Sequence, residues 1–205
     1  MEIRKIDPKE KAIIKEVVQI HLDTFKGFFL TFMGRGFLTL LYKSYCQYKE
    51  SGLFVAFEND EPIGFLAYSG DYSGLYKYMI KKKLLPFAWY SLGAFFRKPK
   101  VFVRLLRAFK KSDDVKRKEK YIELASIGVK PDFKSKGVGS LLISKLIEET
   151  NFDIYSYISL ETDSKDNELA NRFYKKNGFD LVRTYETKER RKMNEYRFTK
   201  KSFVS

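Results

Sequence analysis

Apolar residues recur along the chain with two periods, and the places where the period changes mark the elements. Over residues 121–129, Glu123, Ala125, Ile127 and Val129 alternate with Ile122, Leu124, Ser126 and Gly128, the two-residue repeat of a strand. From Val138 the apolar positions become Leu141, Leu142, Leu146 and Ile147, the spacing of a helix face. A glycine-punctuated turn joins the two. The same reading places a strand over residues 1–6, then a helix after Pro8 carrying Ile13, Ile14, Val17 and Val18. A second helix, dense in aromatics from Phe28 to Tyr45, is interrupted by Gly27, Gly34 and Gly36. Residues 53–58 and 62–69 form a strand pair around the turn residues Asn59 and Asp60. Later come a strand over 155–161, a helix capped within 163–167 and ended by Asn177-Gly178, and strands over 179–186 and 193–199 around a basic turn at 188–192. The expected class is mixed α/β, with one twisted sheet of about seven strands flanked by helices.

Composition adds one domain and one anomaly. The 205 residues, 44% of them hydrophobic, suit a single domain over 1–205. The net charge is +14, which first suggests nucleic acid, but residues 71–120 hold fifteen Lys and Arg against four Asp and Glu and so carry +11 by themselves. Nucleic acid is therefore not the expected partner. This segment reads as a helical insertion before the central strand, broken by Pro86, Gly93 and Pro99 into several short helices. Its apolar run over 84–96 is shorter than the roughly 20 residues that cross a bilayer. Lys81, Lys82 and Lys83 before it and Arg97, Lys98 and Lys100 after it give an interfacial composition. Three readings stay open: a helical subdomain packed on the core, a peripheral contact with the inner membrane surface or a lipid-linked substrate, and a wall over an anionic acceptor.

The remaining chemistry is restricted by what is scarce. A single cysteine, Cys46, makes no internal disulfide, and the start of the chain lacks the order of a signal peptide, so a reducing, cytoplasmic setting is expected. The one histidine, His21, lies on an apolar helix and reads as structural or substrate-lining. No metal site is expected from so few N and S ligands. A Ser-His-Asp hydrolase would have to use His21 without any nucleophile-elbow sequence.

The turn after the central strand reads Lys134, Ser135, Lys136, Gly137, Val138, Gly139, Ser140. Glycines and lysines at a helix N-terminus make an anion cradle. It lacks the Gly-Lys-Ser/Thr ending of a P-loop, and Leu142 stands where a dinucleotide fingerprint needs a third glycine. The stretch does resemble the acetyl-CoA-binding segment of the GCN5-related N-acetyltransferases, the GNAT superfamily, with Val129 five residues before the loop and Lys134 where Gln or Arg is usual. A second stretch, Asn167-Glu-Leu-Ala-Asn-Arg-Phe-Tyr174-Lys-Lys-Asn-Gly178-Phe179, is similar to the family's Asn-x-x-Ala-x-x-Leu/Phe-Tyr-x-x-x-Gly-Phe at each defining position.

The resemblance implies acetyl-CoA as donor and transfer to a primary amine by direct attack in a ternary complex. It implies main-chain contacts to the donor from Ile127, Gly128 and Val129, pyrophosphate contacts from Lys134 through Ser140, and a cofactor-arm contact from Asn167. Tyr174 would protonate the departing thiolate. Glu123 occupies the position of the general base in histone-acetylating members and is expected on the face shared with Val129, where apolar neighbours could raise its pKa. Ser126 is a weaker candidate. The expected acceptor is a small amine, for example an amino sugar or sugar nucleotide of surface-polysaccharide synthesis. A protein N-acetyltransferase and a non-catalytic basic module bound to an anionic membrane or nucleic acid are the alternatives, and a homodimer is left open.

Overall fold

The computed structural model describes residues 1–97, 119–187 and 190–200. Seven strands form one sheet in the order β1-β2-β3-β4-β5-β7-β6. They are β1 (Glu2–Lys5), β2 (Ser51–Glu58), β3 (Glu61–Ser69), β4 (Ile122–Val129), β5 (Ile158–Asp163), β6 (Asp180–Glu186) and β7 (Lys192–Phe198). Every neighbouring pair is antiparallel except β4 and β5. Among the described residues the helices are α1 (Lys11–Thr24), α2 (Gly34–Gln47), α3 (Tyr72–Arg97), α4 (Val138–Glu149) and α5 (Glu168–Lys176). The mixed α/β class and the seven-strand sheet expected from the sequence are present.

Helices cover both faces, and β2 shows why its sequence is apolar without interruption. Leu53, Val55 and Phe57 join the core under α1 and α2 with Ile14, Val17, Phe37, Leu38 and Phe65. Phe54 and Ala56 face the other way, into the core shared by Leu142, Ile143 and Leu146 of α4 and by Phe179, Tyr196 and Phe198. A strand buried on both faces has no polar side to alternate with.

Three local expectations need correction. The strand read over 155–161 begins at Ile158, because Asn151 draws the chain before it into a turn, accepting N–H bonds from Ile154 and Tyr155 on its carbonyl and from Asp153 on its side chain. The described part of the segment after β3 is not broken at Pro86 and Gly93: α3 runs 26 residues with one interruption, at Lys83 (φ −139°, ψ 16°). Pro86 therefore falls in the first turn of the second half, where its missing N–H costs nothing, and the helix continues through Gly93. The remainder of the insertion, including Pro99 and the apolar run from Val101 to Phe109, lies outside the described residues. Lys188 of the basic turn does too.

The third correction concerns the central strand. Along β4 the register with β3 runs Tyr68 to Leu124 and then Ala67 to Ser126, so Ala125 is an extra residue, a β-bulge. The bulge reverses the alternation partway along. Ile122 and Leu124 pack towards α4, Ala125 packs towards α1 and α2, and Ile127 and Val129 return to the α4 side. Glu123 therefore does not share a face with Val129. It faces α2 and α3, where its negative charge adds to burial in pushing the phenols of Tyr45, Tyr72 and Tyr76 well above their ordinary pKa.

Candidate active site

The site is built around the C-terminal half of β4, because that strand loses one neighbour there. Its parallel pairing with β5 covers only Ile122 and Glu123, whereas its pairing with β3 continues to Val129. The direction of the main-chain groups follows from the ladder. Lys130 donates its N–H to the Ile63 carbonyl at 2.8 Å. Bonded and non-bonded pairs alternate in an antiparallel ladder, so the Val129/Gly64 and Ile127/Leu66 pairs turn their N–H and C=O groups away from β3, into the gap beside β5. Thr24, at the end of α1, approaches from that side and donates its hydroxyl to the Val129 carbonyl at 3.2 Å. Gly128 is backed by the Phe65 ring, which a Cβ there would meet at 2.8 Å, with Phe25 in ordinary contact at 3.4 Å.

The cradle follows after a single 3-10 turn over Pro131–Phe133. Ser135 (φ 64°) and Gly137 (φ 83°) are both left-handed, and Gly137 is the N-cap of α4. The first bond into the helix runs from Leu141 N–H to the Gly137 carbonyl at 3.0 Å. The N–H groups of Val138, Gly139 and Ser140 precede it, in the first turn, where a helix has no internal partners to offer. The two glycines have different duties. No atom lies within 4 Å of a Cβ built on Gly137, which is glycine for its backbone angle, whereas a Cβ on Gly139 would stand 3.0 Å from the Phe173 ring. Gly139 thus lets α4 close on α5, instead of only admitting a ligand.

The α5 residues are held to the sheet by a hub that sequence reasoning missed, Asn171. Its amide donates to the carbonyls of Asp163 and Asn167, and its Oδ1 accepts from Asn194 Nδ2 at 2.8 Å and from the Tyr196 hydroxyl at 2.9 Å. Asn167 sits at the N-cap of α5 without a side-chain capping bond, and its amide donates to Thr162 at 2.7 Å. Tyr174 packs among Phe173, Phe179 and Tyr196, and burial pushes its phenol up to about 12. It keeps its proton at neutral pH.

The opposite side of β4 presents Glu123 to a tyrosine cluster. The Tyr76 hydroxyl donates to that of Tyr72 at 3.0 Å, with the two rings edge-on 4.7 Å apart, and both add to burial in shaping the pKa of Tyr45 on α2, which lies well above its ordinary value. Further along that face the Tyr42 hydroxyl lies 3.5 Å from Ser126 Oγ and 2.7 Å from His21 Nδ1. The structure places Ile127, Val129 and Tyr174 in one core on the α4 side, with the loop from Lys134 to Ser140 leading into α4 and Asn167 at the N-cap of α5, whereas Glu123 faces the other way, towards α2 and α3.

His21 itself is structural. It is 3% exposed, its ring lies tilted against Phe25 at 4.8 Å, and its Nε2 has no hydrogen-bond partner among the described residues. Burial pushes its pKa down to about 4. The folded state then binds fewer protons than the unfolded state between those values, so this contribution is present above pH 6.5 and lost as pH falls towards 4, by about 3 kcal/mol. Urea unfolding at pH 7 and at pH 4.5 should show that loss, and His21→Phe should remove this part of the pH dependence. Cys46 is also inert, its thiol pushed by burial to about 12.

The arrangement fits a thioester donor carrying a pyrophosphate: N–H groups line the gap, and orphan N–H groups with Lys134 and Lys136 close its end. Among curated protein sequences none matches the chain. Solved structures share the fold. Aminoglycoside 6′-acetyltransferase type Ii superposes with a TM-score of 0.63 at 15% identity, over 97% of each chain. The Escherichia coli ribosomal-protein-S18-alanine N-acetyltransferase gives 0.54 at 14% identity, over 97% of this chain and 92% of its own. A Bacillus anthracis protein described as a streptothricin acetyltransferase, bound to acetyl coenzyme A, gives 0.50 at 15%, over 77% of this chain and 67% of its own. The sequence profile of the Acetyltransferase (GNAT) family matches residues 15–179. On that match and this fold, the chain belongs to the GNAT family of acetyltransferases and uses acetyl-CoA.

Proposed function

We propose that the protein acetylates a primary amine of a small polar molecule, an amino sugar or a sugar nucleotide, by direct attack within a ternary complex. One observation carries the acceptor class: the Glu123 carboxylate, at the last position where β4 pairs with β5, lies among Tyr45, Tyr72 and Tyr76, and two of those tyrosines come from α3. Such a wall of hydroxyls suits a compact, hydroxyl-bearing amine better than an extended peptide. The fold shared with an aminoglycoside 6′-acetyltransferase agrees with this reading.

Acetyl-CoA supplies the acyl group as a thioester. The N–H groups of Ile127 and Val129 bind along its arm, that of Val129 facing the carbonyl oxygen, where a fixed donor stabilises developing charge. Gly128 lets the strand lie close to Phe65 behind it. The N–H groups and charges of Lys134, Ser135, Lys136, Gly137, Val138, Gly139 and Ser140 hold the pyrophosphate. Asn167 fixes the arm from α5. Glu123 takes a proton from the arriving ammonium, directly or through water, which frees the nitrogen lone pair to attack. Tyr174, protonated at neutral pH, donates to the sulfur as the C–S bond breaks.

Tyr174→Phe is expected to lower kcat about a hundredfold with little change in the KM for acetyl-CoA. Because the phenol is pushed up to about 12, wild-type kcat should show no loss attributable to Tyr174 between pH 7 and 10. A screen of amines with acetyl-CoA, following thiol release, tests the acceptor. Turnover with amino sugars or aminated nucleotides supports the proposal, and turnover only with peptide N-termini would replace it by protein N-acetylation, the activity named for the Escherichia coli protein of the same fold.

A further inference from the structure

We propose that the outer side of the second half of α3 docks on an anionic lipid surface. Among the described residues, the half of α3 after Lys83 is fastened along one side, from Phe87 to Ser91. Phe87 stacks edge-on against Phe37 at 5.0 Å, Ser91 is buried and donates to the Phe87 carbonyl, and the Tyr90 ring lies so close to Gly36 of α2 that a Cβ there would stand 2.2 Å from it. Directly opposite, one turn apart, are Leu85 and Trp89, 81% and 73% exposed. Leu84, Pro86, Ala88 and Tyr90 are exposed beside them. Leu85, Pro86, Ala88, Trp89 and Tyr90 line an open apolar depression of about 560 Å³. A surface that met only water would not put its largest apolar side chains at its most outward positions.

Charge selects the partner. Of the three lysines at the kink, Lys83 turns inward, donating to Ser44 Oγ at 3.1 Å and to Gln47, and burial lowers its pKa to about 8. Lys81 and Lys82 stay exposed at the head of the apolar face. The sequence around them, residues 71–120, carries fifteen cations against four anions. Leucine and tryptophan at headgroup depth with lysines alongside is the composition of a helix lying in an anionic interface. No helix among the described residues is long and apolar enough to cross a membrane, so the contact is one of lying on the surface. Docking there would hold the acceptor side of the enzyme, which the first half of α3 borders, next to the bilayer.

Trp89 is the chain's only tryptophan, so the native protein reports its own docking. Phosphatidylcholine vesicles containing phosphatidylglycerol should shift its emission to the blue and shield it from iodide, and added salt should reverse both. Pure phosphatidylcholine should do neither. Leu85→Ser should weaken partitioning about tenfold, and Lys81→Gln with Lys82→Gln about thirtyfold. All three side chains are exposed, so the variants should keep the wild-type melting temperature and its response to acetyl-CoA. The proposal is overturned if the anionic vesicles leave the emission unchanged, if neutral vesicles act equally well, or if duplex DNA produces the shift instead. It is likewise overturned if the shift grows with protein concentration alone, which would make a second copy the occupant.

Discussion

Glu123→Gln should lower kcat by about 10²- to 10³-fold while acetyl-CoA still binds and still raises the melting temperature. The amide keeps the size of the side chain and its capacity to accept a tyrosine hydroxyl, so what is lost is the ability to take a proton from the ammonium. The pH–rate profile distinguishes this from a packing defect. Wild type should lose activity towards acid as the base is protonated, and the variant should show a flattened acidic limb, with residual activity rising only as the free amine itself appears. An unchanged profile would remove Glu123 from the mechanism and leave Ser126, near Tyr42, as the candidate on that face. The position of Glu123 makes a further demand. Since it faces α2 and α3, the amine must enter from that side, and Tyr72→Phe should raise the KM of the amine more than that of acetyl-CoA.

Asn171→Leu should be the most destabilising single change near the site. It removes the acceptor shared by Asn194 Nδ2 and the Tyr196 hydroxyl, both on buried residues, and the donor to the Asp163 and Asn167 carbonyls. Stranding buried polar groups costs about 1–3 kcal/mol each, so a loss of about 3 kcal/mol is expected after partial relaxation. For a chain of this length that lowers the melting temperature by roughly 6–12 °C. Because the hub ties α5 to β5 and β7, the acetyl-CoA affinity should fall with it, through Asn167 and Tyr174. A melting temperature within about 2 °C of wild type would show that the hub carries no such weight.

What the sequence made legible was set by how local each feature is. The change of period from two to the three-and-four spacing after Val129 located β4, the cradle and α4, since strand and helix periodicities are properties of neighbouring residues. The Asn167 to Phe179 pattern placed α5, ended by the left-handed Gly178. Non-local features escaped. The bulge at Ala125 depends on pairing with β3, some 60 residues earlier in the chain, and it alone moves Glu123 to the other face. Asn171 lies inside the recognised pattern, yet its role rests on partners 23 and 25 residues away. The packing of Gly139 on Phe173 needs two helices to meet. In α3 the break fell at Lys83, where the side chain reaches back to α2, and not at Pro86, which a first turn tolerates.

The account rests on a pyrophosphate-bearing donor lying along β4 and ending at the N-terminus of α4. The most direct test is calorimetric titration of acetyl-CoA into the wild type and into Gly137→Val, a change that opposes the left-handed backbone at φ 83° at a position where the Cβ itself meets no atom within 4 Å. Wild type should bind one equivalent, and at a ligand concentration about 100 times Kd gain about 2.7 kcal/mol of stability. The variant should bind at least about 30-fold more weakly, as the first-turn N–H groups lose their alignment. Wild type that takes up no acetyl-CoA, or a variant that binds it equally well, would contradict the assignment of this cradle.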